Sequence, residues 1–439
     1  MESLNPKSRV FICVLTLGLV LSPIFDSPVS TTLFEQDDND YWPDDSWRVS
    51  SLQEQDMNVQ RIESLVSRIE DGSAVYSLLI IRNGYIVYEN YRQGKNENSL
   101  MHIFSCTKSF TSALIGIAIR EGYIGSIDDA ILPYFSNWTI ENVDERKESL
   151  TIRHFLTMTT GLDWNEHNIS YTSPENMVNK MLASSNPAKY VLDLRMVLEP
   201  GEVHVYSTGA SQVLSALIRE VTGMRPQSFA QEYLFEPLSI SDYDWALAGM
   251  DTNVGGSQLY LRSGDMARFG YLYLRNGSWN NEQIIPVAYV HDSKSAEVST
   301  NWALDYGLHW WVNEAREYFC ALGSQGQGIF IDLAFNLLMI ITGGSDSIPM
   351  ESYFEGYVRR AAIEGYSEDE GEETETSGFD IRVVMLSIII ATGGFSILLI
   401  IIYPNITKKF SSPGQMMHGF LLKKLHHNSN SNYQTIASF

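Results

Sequence analysis

Ser105 and Lys108, three residues apart in His102-Ile103-Phe104-Ser105-Cys106-Thr107-Lys108-Ser109-Phe110, form a pair able to do covalent chemistry. A serine hydroxyl is a weak nucleophile at neutral pH and needs a base within hydrogen-bond reach. If Ser105 opens a helix, Lys108 lies one turn on and on the same face, so hydroxyl and amine can meet. A helix N-terminus also favours the negative charge of an alkoxide forming at its first turn. Phe110, Leu114, Ile117 and Ala118 follow at helical spacing, which predicts a helix buried along one face. Such a pair suits a Ser-Lys hydrolase. An ordinary helix start, with Ser105 as cap and Lys108 exposed, would read the same way.

The surrounding elements must hold that helix. Asp56 is placed to cap a helix over Met57 to Glu70, where Val59, Ile62, Leu65, Val66 and Ile69 share a face. Residues 76–81 and 85–91 read as strands, with Asn83-Gly84 at the tip of a tight hairpin. A long, mostly helical and loop-rich insertion is expected from about Asp128 to Met266. Strand signals return at 306–312, 318–322, 327–331 and 337–342, and 350–362 reads as a closing helix. Strands and a helix at both ends of a helical middle imply an α/β fold, an α/β/α sandwich with a second, helical lobe. No internal repeat or metal-ligand cluster is evident, and no cofactor is implied.

Further residues fall in a fixed order around the pair. They are Thr151-Ile152-Arg153-His154-Phe155-Leu156-Thr157-Met158-Thr159-Thr160-Gly161-Leu162-Asp163-Trp164, then Pro200-Gly201-Glu202 and Tyr206-Ser207-Thr208-Gly209. Phe235-Glu236-Pro237-Leu238, Gly264-Asp265-Met266-Ala267-Arg268-Phe269-Gly270 and Tyr306-Gly307-Leu308-His309-Trp310-Trp311 come after them. Together these resemble the serine β-lactamase and penicillin-binding-protein superfamily, in its class C-like esterase and amidase branch, which includes 6-aminohexanoate-dimer hydrolase. The resemblance covers roughly residues 56–362 and implies a β-lactamase-like sandwich with an antiparallel sheet. It implies Ser105 as nucleophile and acyl carrier, and Lys108 as a desolvated amine of lowered pKa sharing a proton with Ser105 and Tyr206. It implies Tyr206 as general base and then acid, and the Ser105 N–H as half of an oxyanion hole.

The third motif departs from that family. Where the family carries Lys or His, then Thr or Gly, then Gly, this chain has Gly323-Ser324-Gln325-Gly326-Gln327. The N–H of Gln327 is expected to complete the oxyanion hole, with Ser324, Gln325 and Gly326 at the substrate. Position 324 lacks the cation that helps β-lactamases bind a carboxylate, which argues against penicillin-like substrates. Asp163 and Trp164 are candidates for the pocket mouth. Trp164, Tyr171, Trp310 and Trp311 suggest an apolar or linear acyl group. His102, His154 and His204 are read as packing or structural residues, since no nucleophile-elbow context surrounds them. A DD-peptidase or β-lactamase, and an inactive binding ectodomain of the same fold, are the rival readings.

Composition and the chain ends bound the setting. A net charge of −23 argues against a nucleic-acid partner. Lys7 and Arg9 precede an apolar run, so residues 1–30 read as a signal peptide or N-terminal anchor, and 31–55 as an extended arm. A hydrolase domain follows over 56–365, then an acidic linker over 366–382. Residues 383–403 carry no charge and have the length of a transmembrane helix, with Lys408, Lys409, Lys423 and Lys424 in the tail over 404–439. By the positive-inside rule that tail is cytoplasmic and the hydrolase domain outside, anchored to the cell membrane. The expected partners are therefore a small-molecule or peptide-like amide or ester and the bilayer. Asn137, Asn168 and Asn276 are glycan acceptor sites in that outer region. Cys106 and Cys320 could pair there, although two cysteines make no disulfide framework.

Overall fold

Asn83 and Gly84 both take left-handed φ, 53° and 80°, the pattern of a type I′ turn. They join β2 (Val75–Arg82) to β3 (Tyr85–Tyr91) as the sequence predicts. The computed structural model describes residues 41–365 apart from Asp44, Asp45, Asp71 and Met250. The leader over 1–30, the linker, the apolar span over 383–403 and the tail therefore lie outside the described residues. Among the described residues no helix is long and apolar enough to cross a membrane. The chain divides into two units at Trp42/Pro43. Tyr41 and Trp42 are the described residues of the first, and everything below concerns the second.

The hairpin sits near one end of an eight-stranded sheet. β1 is Arg48–Val49, β4 Asp305–Tyr306, β5 Trp311–Asn313, β6 Tyr318–Gly323, β7 Gln327–Asp332 and β8 Leu337–Gly343. Their order is β1-β3-β2-β8-β7-β6-β5-β4, antiparallel except for the β1–β3 pair. Residues 48–49, expected in the extended arm, thus add an edge strand. The expected strand over 306–312 is broken, because 307–310 leave the sheet and His309 has a φ of 60°.

Every residue of β8 is buried, because helices cover both faces. On one face lies α1 (Val59–Glu70), which buries Ile62, Leu65 and Ile69. Its cap is Asn58, whose side-chain Oδ1 accepts from the Arg61 N–H at 3.0 Å. Asp56, the expected cap, has a left-handed φ instead. The closing segment from Met350 to Glu364 is helical and sets Phe354 against Phe330 of β7, ring centroids 4.9 Å apart. On the other face Gly270 of α4 (Ser263–Leu274) abuts Ile329 and Leu338. Alternate residues of β7 therefore serve opposite layers, as the pleat dictates.

α2 (Thr107–Arg120) and α3 (Thr208–Thr222) form the centre of the helical lobe. α2 was expected to bury one face, but every residue from Thr107 to Ala118 is buried. Its surroundings explain this. Phe110 stacks on Phe269 of α4 at 3.7 Å, Gly116 packs under Tyr289, and Thr111 donates to the Gly255 carbonyl at 2.6 Å. The α/β/α layers and helical lobe expected from the sequence are the observed architecture.

Candidate active site

Ser105 does not begin the helix itself. It occupies a tight 3-10 turn, Phe104–Cys106, that runs into α2. Phe104 holds a φ of 46°, a strained value for a residue with a side chain. Thr107 steadies the turn by donating to the Phe104 carbonyl at 2.6 Å. The turn leaves Ser105 half-buried, while Cys106 points the other way and its thiol donates to the Gln327 carbonyl at 3.7 Å. Cys106 and Cys320 are both buried and free.

Lys108 is 2% exposed. Its Nζ donates to three oxygens: Ser105 Oγ at 3.1 Å, Thr208 Oγ1 at 3.2 Å and the Gly256 carbonyl at 2.9 Å. Burial pushes its pKa down to about 8, although Glu166 pulls the other way. Gly255-Gly256 forms the strap that brings that carbonyl in. A Cβ on Gly256 would stand 2.8 Å from Thr208 and 3.2 Å from the amine.

The second motif works as the start of α3. Ser207 caps the helix by accepting from the Ala210 N–H at 3.0 Å. This sets Tyr206 in the extended residue before the cap and Thr208 in the first turn. The Tyr206 ring lies 4.9 Å from Lys108 Nζ, and its hydroxyl is hydrogen-bonded to Ser105. Burial, reinforced by Glu166, drives the Tyr206 pKa well above its ordinary value. Tyr206 is thus held as a neutral phenol, and Lys108 is the group whose unprotonated form is accessible near neutral pH.

Glu166 was not singled out in the sequence. It is 1% exposed and accepts four hydrogen bonds. The donors are Trp164 Nε1 at 2.7 Å, Tyr171 hydroxyl at 2.7 Å, Thr208 N at 2.7 Å and Thr208 Oγ1 at 2.9 Å. Trp164, a candidate for the pocket mouth, is instead buried against Gly209 and holds this carboxylate. Asp163 pairs at the surface with Arg195, 2.9 Å away.

The third motif is a hairpin loop between β6 and β7. Gly323 abuts the nucleophile turn from one side, and the Gln327 carbonyl meets Cys106 from the other. A Cβ on Gly323 would come within 2.5 Å of the Ile103 carbonyl and 3.1 Å of the Ser105 nitrogen. Gln327 is buried and donates from Nε2 to the Gly343 carbonyl at 2.9 Å. Ser324 is half-buried in the loop, and Gln325 is exposed with its N–H bonded to Asp346. Gly326 reaches the cleft.

That cleft, about 260 Å3, opens beside the Gly323 backbone among Trp302, Trp311, Leu322 and Ile348, with Asp346 and Glu351 in its wall. Trp302 and Trp311 lie 6.0 and 5.9 Å from the Tyr206 ring, which joins the cleft to the catalytic group. Among the described lining residues none is basic. Trp310, expected near the site, belongs to the core beneath α4 and stacks on Phe269 at 5.9 Å. Trp302 takes the place expected for it.

Four histidines serve the scaffold. His154 Nδ1 accepts from the Thr151 N–H at 3.1 Å, closing a capping box. His102 Nε2 accepts from the Gln258 N–H at 3.1 Å. His204 packs at 5.0 Å from Tyr306, and burial lowers its pKa to about 4. His309 ties the Leu156 carbonyl to Ser211, and burial lowers it to about 3.

The Beta-lactamase family model matches residues 60–345. An uncharacterized protein of Alkalihalophilus pseudofirmus is 26% identical over 261 residues, 52% of this chain and 66% of that protein. The chain therefore spans just under two thirds of that relative's length. The 6-aminohexanoate-dimer hydrolase of Paenarthrobacter ureafaciens is 23% identical over 296 residues, 62% of this chain and 73% of that protein. A candidate 6-aminohexanoate-dimer hydrolase from Bacillus anthracis superposes with a TM-score of 0.61 at 22% identity, covering 74% of this chain and 87% of that one. At that identity the likeness is one of fold.

Proposed function

Because the chain belongs to the beta-lactamase family, we propose that it is a serine hydrolase that cleaves an ester or amide through an acyl-enzyme on Ser105. The observation that carries this reading is the buried Lys108 amine, 3.1 Å from the Ser105 hydroxyl. In its neutral form the amine takes the serine proton as Oγ attacks the carbonyl carbon. The Ser105 N–H, with the Gly323 backbone packed beside it, would meet the oxyanion. Tyr206, kept as a phenol against Ser105, passes its proton to the leaving group as the tetrahedral intermediate collapses and receives in turn the proton that Lys108 took from the serine, which restores both groups. Water then enters, the same groups run in reverse, and the acid is released.

The cleft supports a substrate class. Its walls are aromatic and aliphatic, its polar rim is acidic, and position 324 carries a serine where a cation would bind a carboxylate. Uncharged or basic substrates with an apolar acyl group suit it better than anionic β-lactams. The test is intact-mass labelling with a fluorophosphonate, followed by a panel of p-nitrophenyl esters, anilides and a chromogenic cephalosporin. A single adduct with ester or anilide turnover is the expected result. Turnover of the cephalosporin alone would favour the β-lactamase reading, and a folded protein without an adduct would favour the binding module.

Tyr206→Phe separates the proton relay from mere packing. The p-nitrophenolate leaving group needs no proton, whereas an aniline does. The substitution is expected to slow anilide cleavage by about 100-fold and p-nitrophenyl ester cleavage far less. Equal loss on both substrates would assign Tyr206 to positioning.

The reading extends to location. The apolar stretches near both ends and the lysines after residue 403 support a membrane-anchored hydrolase facing outward. Asn137, Asn168 and Asn276 are all exposed. Expressed in a secretory host, the chain is expected to lose mass on treatment with an N-glycosidase. An unglycosylated chain would count against that orientation.

A further inference from the structure

Glu166 stands one residue beyond the groups assigned a catalytic step, and its hydrogen bonds are directional. Thr208 has one hydroxyl proton, and it points to Glu166 Oε1 at 2.9 Å because a carboxylate there can only accept. Thr208 Oγ1 can therefore only accept from Lys108 Nζ, 3.2 Å away. The Gly256 carbonyl, 2.9 Å from the same nitrogen, is likewise an acceptor. A protonated lysine has three N–H bonds and finds three oxygens. A neutral lysine has two N–H bonds and one lone pair. With Thr208 and Gly256 each demanding a hydrogen, the lone pair is left facing Ser105, where a base must present it.

We propose that Glu166 is a positioning residue that, through the Thr208 hydroxyl, aims the lone pair of neutral Lys108 at Ser105. The inference rests on the reading of Lys108 as the base for Ser105. It predicts a specific fault in Glu166→Gln. The glutamine amide donates to Thr208 Oγ1, the Thr208 hydroxyl turns to donate to Lys108, and the lone pair is drawn away from Ser105. A second consequence is electrostatic. The groups around the amine are Glu166, His167, Tyr206, Cys106 and His309, and Glu166, ahead of Cys106, does most to favour its protonated form. Removing that charge moves the acid limb of the reaction to lower pH. A residue that merely braced the fold would move neither limb nor proton direction.

The test follows the rate of fluorophosphonate adduct formation against pH in the full-length chain. In that reaction Ser105 Oγ bonds to phosphorus, fluoride leaves and Lys108 takes the serine proton. Labelling in the parent that is lost in Lys108→Ala upholds the base reading; labelling that survives Lys108→Ala overturns that reading and this inference with it. Given that dependence, Glu166→Gln is expected to label about ten-fold more slowly or worse at its plateau, with its acid limb shifted to lower pH. In a Thr208→Val background, which has no hydroxyl to turn, the same substitution should no longer lower the plateau. Thr208→Ser should recover most of the rate lost in Thr208→Val, a comparison that stands even if Glu166→Gln fails to fold. An unmoved limb and plateau in folded Glu166→Gln would overturn the proposal while leaving the base reading intact. So would an undiminished loss in the Thr208→Val background, or a Thr208→Ser protein no faster than Thr208→Val.

Discussion

Ser105→Ala is expected to abolish the fluorophosphonate adduct and to lower ester turnover by about 10,000-fold or more, as nucleophile deletions do in other serine hydrolases. The fold should be nearly untouched. Ser105 is half-buried in a surface turn, and Lys108 keeps two of its three acceptors, Thr208 and the Gly256 carbonyl, without it. The neighbouring thiol cannot replace the hydroxyl. Cys106 faces the Gln327 carbonyl beneath the turn, and burial drives its pKa far above the ordinary thiol value. The remaining activity should therefore be insensitive to iodoacetamide, and the melting temperature should shift by no more than a few degrees. Hydrolysis at the parent rate in Ser105→Ala would place the nucleophile elsewhere.

What the sequence made legible was local. Asn83-Gly84 is a turn because two adjacent residues must take positive φ, and such pairs announce themselves. Ser105 and Lys108 could be paired because three residues along a helix is a contact, and the tight turn at 104–106 keeps that contact although Ser105 lies outside the helix proper. Tyr206 was legible through its motif. Glu166 was not, since a buried carboxylate in a loop has no periodicity. Its one signal is position, two residues beyond Trp164 in a signature whose indole needed a partner. The Gly256 carbonyl is harder still, because a backbone acceptor leaves no trace in side-chain chemistry. Trp310 and Trp311 show a different limit. Trp310 ends the segment that leaves the sheet and Trp311 begins β5, so one entered the core and the other the cleft. Which did which depends on the break at 307–310, which the run of aromatic residues concealed.

Lys108→Met carries the other large effect, and it is visible in two independent measurements. The first is chemical: without the amine Ser105 keeps only the Tyr206 phenol, a poor proton acceptor, and labelling and turnover should fall by about 1,000-fold or more. The second is thermodynamic. Burial lowers the Lys108 pKa from 10.5 to about 8, a change equivalent to about 3 kcal/mol. Below pH 8 the lysine is protonated in the folded and unfolded chain alike, and the folded chain bears the whole penalty of a desolvated charge. Between about pH 8 and 10.5 the folded chain has released that proton while the unfolded chain still holds it, so stability rises with pH. Methionine does not titrate. The stability of the parent relative to Lys108→Met is therefore expected to increase by about 3 kcal/mol across that window, measured by urea unfolding at a series of pH values. Losses that are constant with pH, such as the hydrogen bonds to Thr208 and Gly256, cancel from the slope. The parent's labelling rate should climb through the same pH of about 8, because the form that relieves the folded chain is the form that can accept the serine proton. A flat stability difference, or a rate that climbs at a pH far from where the stability does, would break the identity of the buried charge with the catalytic base.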